Sequence, residues 1–136
     1  MRRRKIPTTG TLPAGIYYVG DPCYTIHDDA AWDEFLKLLY AAETLHGDGL
    51  SPVIFEYRGR PCFVSSTNTG DGCYSDQYGE MYPVNAGMLA AIPIEVLDEY
   101  SGLKVRAFDQ PFQVGGDKGR WIKSKLIKIG DIRIRT

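Results

Sequence analysis

One segment of the chain has a helical hydrophobic period. Trp32, Phe35, Leu36, Leu39 and Tyr40 recur at i, i+3, i+4, i+7 and i+8, a single apolar stripe that predicts a long amphipathic helix over about 29–46. Asp28 or Asp29 can cap its first amides, Asp33 and Glu34 suit the positive end of its dipole, and Gly47 is a natural stop. The other apolar segments read as strands: 15–19, 52–57, 61–64, 80–84, 88–92 and 103–108, the second and third joined as a hairpin across Arg58, Gly59 and Arg60. A second, short helix is expected over about 93–101, with Pro93 opening it and Gly102 closing it. At the end of the chain Ile129 and Ile132 flank Gly130 and Asp131, a two-residue hairpin loop. That register puts Ile127, Ile129, Ile132 and Ile134 on one face and Lys128 with Arg133 on the other.

Strands outnumber helices and do not alternate with them. The expected class is therefore α+β with a mostly antiparallel β-sheet. No linker divides the chain, so a basic flexible tail over 1–10 followed by a single domain over 11–136 is the expected organisation. With 136 residues, 43% of them hydrophobic, the chain can bury one real core. The polar stretch 65–72 reads as too hydrophilic to join it.

No apolar run approaches the roughly 20 residues that span a bilayer, and the start of the chain lacks the apolar stretch of a signal peptide. Three cysteines (Cys23, Cys62 and Cys73) are too few for a disulfide scaffold. A cytoplasmic protein with reduced thiols and no membrane partner is the expectation. Net charge is −1, but residues 117–136 carry seven basic side chains against Asp117 and Asp131. Such a run can bind nucleic acid, yet Lys and Arg also decorate the wet face of a hairpin. With no regular aromatic interleaving and no known DNA-reading helix to accompany the run, the sequence argues against nucleic acid.

Two five-residue words stand out. Gly20-Asp21-Pro22-Cys23-Tyr24 and Gly70-Asp71-Gly72-Cys73-Tyr74 share the pattern Gly-Asp-x-Cys-Tyr, fifty residues apart. Each contains a turn-forming dipeptide, so both read as sharp turns at strand ends. Side by side, they would gather two carboxylates, two thiols and two phenols. The plainer reading is architectural, because Gly-Asp is ordinary turn punctuation elsewhere in the chain, and cysteine is commonly a small buried hydrophobe.

A ligand site can be drawn from these words. Thr67, Asn68 and Thr69 with Asp71 supply hydroxyls, an amide and flexible backbone able to turn N–H groups toward an anion. Arg58 and Arg60 offer the forked donors a phosphate prefers, and Tyr18, Tyr24 and Tyr74 can stack on a base, with Asp21 completing the set. Against this, a polar loop is often only a loop. Three chemical readings are weaker. Asp21 and Asp71 could hold a hard cation for hydrolysis, but no calcium-loop spacing accompanies them. Cys23 and His27 have a zinc-compatible spacing without a second pair, and a Cys–His nucleophile lacks any family signature.

The two words, together with 84–93 (Val-Asn-Ala-Gly-Met-Leu-Ala-Ala-Ile-Pro) and the terminal 130–136, resemble a group of small uncharacterised bacteriophage and bacterial proteins. Asn85 stands where such proteins often carry Asp. The resemblance implies a viral or mobile-element accessory protein in the host cytosol, and brings neither cofactor nor catalytic residue. Three functions follow. The leading one is a non-enzymatic binder of a small anionic, nucleotide-like ligand, one use of which is to sequester a host defence signal. The second is an interaction module that inhibits a host or virion protein. The third is a small metal-assisted hydrolase using Asp21 and Asp71. An open sheet edge would also allow a homo-oligomer.

Overall fold

A computed structural model describes residues 5–45, 52–98 and 104–136. The architecture is α+β with antiparallel sheets and one long helix, the expected class. Eleven strands run in the order β1 (Thr8–Leu12), β2 (Gly15–Gly20), β3 (Val53–Tyr57), β4 (Arg60–Ser66), β5 (Gly72–Ser75), β6 (Met81–Val84), β7 (Met88–Pro93), β8 (Val105–Phe108), β9 (Phe112–Gly116), β10 (Leu126–Ile129) and β11 (Ile132–Arg135). The one α-helix among the described residues, α1, spans Asp29–Leu45 between β2 and β3.

A five-stranded sheet, β3-β4-β7-β2-β8, forms the middle layer. Its alternating side chains feed a separate core on each side. Tyr17, Val19, Phe63, Leu89 and Ala91 point toward the four-stranded sheet β1-β9-β10-β11 and meet Val114, Ile127, Ile129, Ile132 and Ile134. Tyr18, Cys62, Val64, Ala90 and Ile92 point the other way and meet α1 through Ala31, Phe35 and Leu39. The strands β5 and β6 form a small third sheet at one flank. No described helix is long and apolar enough to cross a membrane.

The C-terminal register is as the pattern predicted: Ile127 faces Ile134, Ile129 faces Ile132, and all four are buried while Lys128 opposes Arg133 outside. Asp28 caps α1 by accepting the Ala31 amide at 2.9 Å. The buried stripe of the helix is rotated by about one residue from the expected one. Ala31, Phe35, Leu39 and Glu43 face inward, Trp32 and Leu36 lie at the margin, and Tyr40 is 55% exposed. Position 46 lies outside the described residues.

Within 1–10, Thr8–Gly10 belong to β1, which pairs with β9, and Ile6 is buried; residues 1–4 lie outside the described set. Three expectations are corrected. The short helix of 93–101 is only a 3-10 turn, Ile94–Val96, which Leu97 ends by going extended; positions 99–101 lie outside the described residues. The polar stretch is partly core: Ser65 continues β4, and Thr67 and Asn68 are almost fully buried. Every buried polar side-chain atom among the described residues has a hydrogen-bond partner, which is what lets hydroxyls and an amide sit there. Finally, the two repeated words differ in structure. Asp21 caps a 3-10 turn over Pro22–Tyr24, whereas Gly72–Ser75 is strand. Pro22 has no N–H to give a ladder and its φ suits a helical turn, while Gly72 can pair.

Candidate functional site: the convergence of the two words and the cleft beside it

The repeated words come together on a third segment, the turn Asn85-Ala86-Gly87 between β6 and β7. From one side Asp21, fully buried, grips it: Oδ2 accepts the Asn85 amide at 2.8 Å and the Ala86 amide at 2.7 Å. Its Oδ1 accepts the Cys23 amide at 2.9 Å. From the other side the Gly87 carbonyl accepts the Thr67 amide at 3.0 Å, and Asp71 Oδ1 lies 4.0 Å from where a Gly87 Cβ would stand. Gly87 has φ 72°, and a Cβ there would also come within 2.9 Å of the Arg120 guanidinium. The bare α-carbon therefore lets two opposite charges close over the turn.

The predicted residues thus separate into three groups. Asp21 is fully buried and its oxygens accept three backbone amides, so it serves the turn. Thr67, Asn68, Thr69 and Tyr74 staple the loop to itself. Thr67 Oγ1 donates to the Gly70 carbonyl at 2.6 Å, Tyr74 donates to the same carbonyl at 2.7 Å, and its hydroxyl meets that of Thr69 at 2.7 Å. Asn68 Nδ2 donates to the Ile122 carbonyl and its Oδ1 accepts the Ile122 amide, both at 2.8 Å. Asp71, Tyr24 and Cys73 are the exposed members, with Tyr18 beneath them donating to the Asp21 carbonyl at 2.7 Å.

Arg58 and Arg60 do not belong here. They stand at the start of β4 and the polar loop follows its end, about 20 Å away for a strand of this length. Their partners are local: Arg58 donates to the Val96 carbonyl and to Asp98, and Arg60 lies 3.7 Å from Glu95. Arg58 is at φ 50° in the two-residue turn with Gly59, which aims both arginines away from the loop. The cation the loop does have is Arg120, whose Nε donates to the Thr67 carbonyl at 3.4 Å. Nothing local in the sequence ties Arg120 to residues 67–87.

Cys23 is held in its thiol form. Burial, then its hydrogen bond to Asp21 and that carboxylate's charge, push its thiol up to about 12, so it is neutral at physiological pH. Cys62 is likewise raised to about 12 by burial.

A usable cleft lies beside the first word. One part, of about 430 Å³, is walled by Asp76, Tyr78, Glu80, Tyr82, Lys104 and Arg106, between edge strand β8 and the β5–β6 hairpin. A second hollow of about 140 Å³ shares the walls Val19, Tyr82 and Lys104 and adds Tyr18, Gly20 and Tyr24. No protein-family model, curated protein or solved structure matches the chain.

The charges of this cleft are arranged around Tyr82 and Lys104. Tyr82 donates to Asp76 Oδ2 at 2.8 Å; burial first, then that bond, raise its pKa far above the usual phenol value. Asp76 Oδ1 accepts the amides of Tyr78 and Glu80, so Asp76 is also spoken for. Lys104 Nζ lies 4.9 Å from the Tyr82 ring centroid and 3.1 Å from Glu80. Arg106 reaches both oxygens of Asp131 at 2.9 Å. The sequence reading missed Tyr78, Tyr82, Lys104 and Arg106. Tyrosines in the strand-like segment 80–84 and alternating Lys104 and Arg106 were the available signal; what was absent was any sign that these segments meet.

Proposed function

We propose that this protein binds, without converting it, a small anionic ligand bearing a flat ring, nucleotide-like in its chemistry, in the Tyr24–Tyr82–Lys104–Arg106 cleft. The observation that carries the reading is the shared wall of the two hollows, which joins four tyrosines (Tyr18, Tyr24, Tyr78 and Tyr82) and two cations in one ligand-sized space. The exposed Glu80–Lys104 pair is no obstacle, since an exposed ion pair is worth about 0–1 kcal/mol and an incoming anion can replace Glu80. Binding without conversion fits the side chains. The phenol at the centre is held protonated by burial and by its bond to Asp76, and the nearby thiol of Cys23 is neutral. Holding such a molecule would serve the accessory role, sequestration of a host signal, that the chain's resemblance to phage proteins implies.

The test is calorimetric titration of the whole protein with a nucleoside monophosphate, alongside mass spectrometry of whatever the denatured, freshly purified protein releases. Binding tighter than about 1 mM, or about −4 kcal/mol, is expected, and Lys104→Ala with Arg106→Ala should weaken it about tenfold or more. Arg58→Ala and Arg60→Ala should leave it unchanged. Absence of binding, or loss of it in the Arg58 and Arg60 variants instead, overturns the reading.

A further inference from the structure

The cations of the chain sort into two populations. Arg58, Arg60, Lys104 and Arg106 each have a carboxylate within 4 Å: Asp98, Glu95, Glu80 and Asp131. Those of the C-terminal hairpin do not. Lys128 Nζ reaches only the neutral Gln113 Oε1, at 3.1 Å, and Arg135 only Ser124 Oγ, at 3.2 Å. Arg133 has no side-chain ion pair among the described residues, and it sits directly opposite Lys128 in the ladder. Like charges facing each other across two strands cost stability, and here no acid relieves them.

These arginines border a groove. About 430 Å³ in volume, it runs between β5 and β11, and Ser75, Gln77, Ser124, Leu126, Arg133 and Arg135 line it together with Asp76. Asp76, its one acid, is 8% exposed and already accepts three donors, so the groove presents net positive charge. Ile132 and Ile134 point into the core, leaving Arg133 and Arg135 on the outer face about 7 Å apart along the strand.

A second observation lies at the end of that groove. Trp121, 75% exposed, is at φ 57°, a left-handed backbone that costs a bulky residue of order 1–3 kcal/mol. Asn68 imposes it: its carbonyl accepts the Trp121 amide at 3.0 Å and its side chain clamps both backbone groups of Ile122. The Asn68 amide in turn donates to Thr136 Oγ1 at 2.9 Å, next to Arg135. One residue thus ties the indole-bearing loop to the C-terminal end of β11. The protein spends backbone strain to hold a large aromatic surface in water on a loop tied to the end of β11, the strand whose arginines no carboxylate among the described residues neutralises.

A basic groove with an exposed aromatic platform is the combination that grips single strands without reading their sequence. We propose that the β5–β11 groove and the Trp121 loop together bind single-stranded nucleic acid, Arg133 and Arg135 holding successive phosphates while a base stacks on Trp121. Trp121 lies within the basic run itself, between Arg120 and Lys123, and the fold ties its loop to the end of β11. The site shares only Asp76 with the cleft proposed above, so the two stand or fall separately.

Fluorescence anisotropy of a labelled single-stranded 12-mer of mixed sequence, titrated with the whole protein, tests this. Affinity should fall about seven- to twentyfold between 50 and 200 mM salt, as two to three phosphate contacts require. Arg133→Ala and Arg135→Ala should each lower the salt slope by about 0.7. Trp121→Ala should weaken binding at least about fivefold, and in a Trp32→Phe background the remaining indole should be quenched on binding. Lys104→Ala and Arg106→Ala, in the separate cleft, should leave the affinity for the 12-mer unaltered. No binding at 50 mM salt, unaltered binding by the arginine and tryptophan variants, or displacement of the 12-mer by equimolar inorganic phosphate overturns the proposal.

Discussion

Asp21 holds Ala86 across 65 residues of chain: its Oδ2 accepts the Ala86 amide at 2.7 Å from a fully buried position. The same oxygen takes the Asn85 amide. This contact fastens the end of β2 to the turn that leads into β7, and it gives the first repeated word a purpose that is architectural.

Asp21→Asn should therefore be costly and Asp71→Asn cheap. An amide at position 21 puts an N–H₂ where an acceptor is needed, leaving a buried backbone donor unpaired at about 2–3 kcal/mol. Asp71 is exposed, so its variant should stay within about 0.5 kcal/mol. Urea unfolding of both measures this; equal stabilities would show that Asp21 carries no structural weight.

Gly87→Ala tests the close approach from the opposite side. At φ 72° an Ala is strained by about 1–2 kcal/mol, and its Cβ would sit 2.9 Å from the Arg120 guanidinium. A loss of at least that size is expected in the thermal midpoint. Arg120→Ala in the same chain should recover the steric part and leave the backbone strain.

The rotated helix stripe sets an order of costs. Phe35→Ala, fully buried and edge-on to Phe55 and Tyr57, should lose about 3–5 kcal/mol. Trp32, at the margin and stacked on Phe35 at 5.9 Å, should lose about half as much on truncation. Tyr40→Ala should lie within about 0.5 kcal/mol. Chemical denaturation checks the ranking, and a Tyr40 variant as damaged as Phe35 would refute the placement of α1.

Alkali should destabilise the protein through its buried thiols and phenol. Burial raises the folded-state pKa of Cys23 and of Cys62 from 9 to about 12, and that of Tyr17 from 10 to about 12. A raised folded pKa means that the stabilisation is fully present below the unfolded value and lost above it. Stability should thus hold to about pH 9 and decline between pH 9 and 12. In the folded state at pH 8, iodoacetamide should modify the exposed Cys73 first and leave Cys23 and Cys62 slow; mass mapping of the alkylated peptides reads this directly.

The amino-acid sequence by itself determined what depends on near neighbours. Helical periodicity located α1 to within a residue at its start, and the cap could be narrowed to Asp28 or Asp29 because capping is decided within three residues; the structure uses Asp28. Strand alternation and a two-residue loop were enough to set the register of β10 and β11, since a period of 2 with four isoleucines admits only one buried face. The strands β1, β5 and β9 were not legible, because their short, polar or glycine-bearing segments become strands only by pairing with partners supplied elsewhere. Tertiary structure alone decided which chemistry-bearing groups meet. It sealed Asp21 into backbone hydrogen bonds, carried Arg58 and Arg60 to the far end of β4, and brought Arg120 to Gly87 and Trp121 to the end of β11. Contacts across 50 to 70 residues reflect how three layers pack, and packing is a property of the whole core, which no local word encodes.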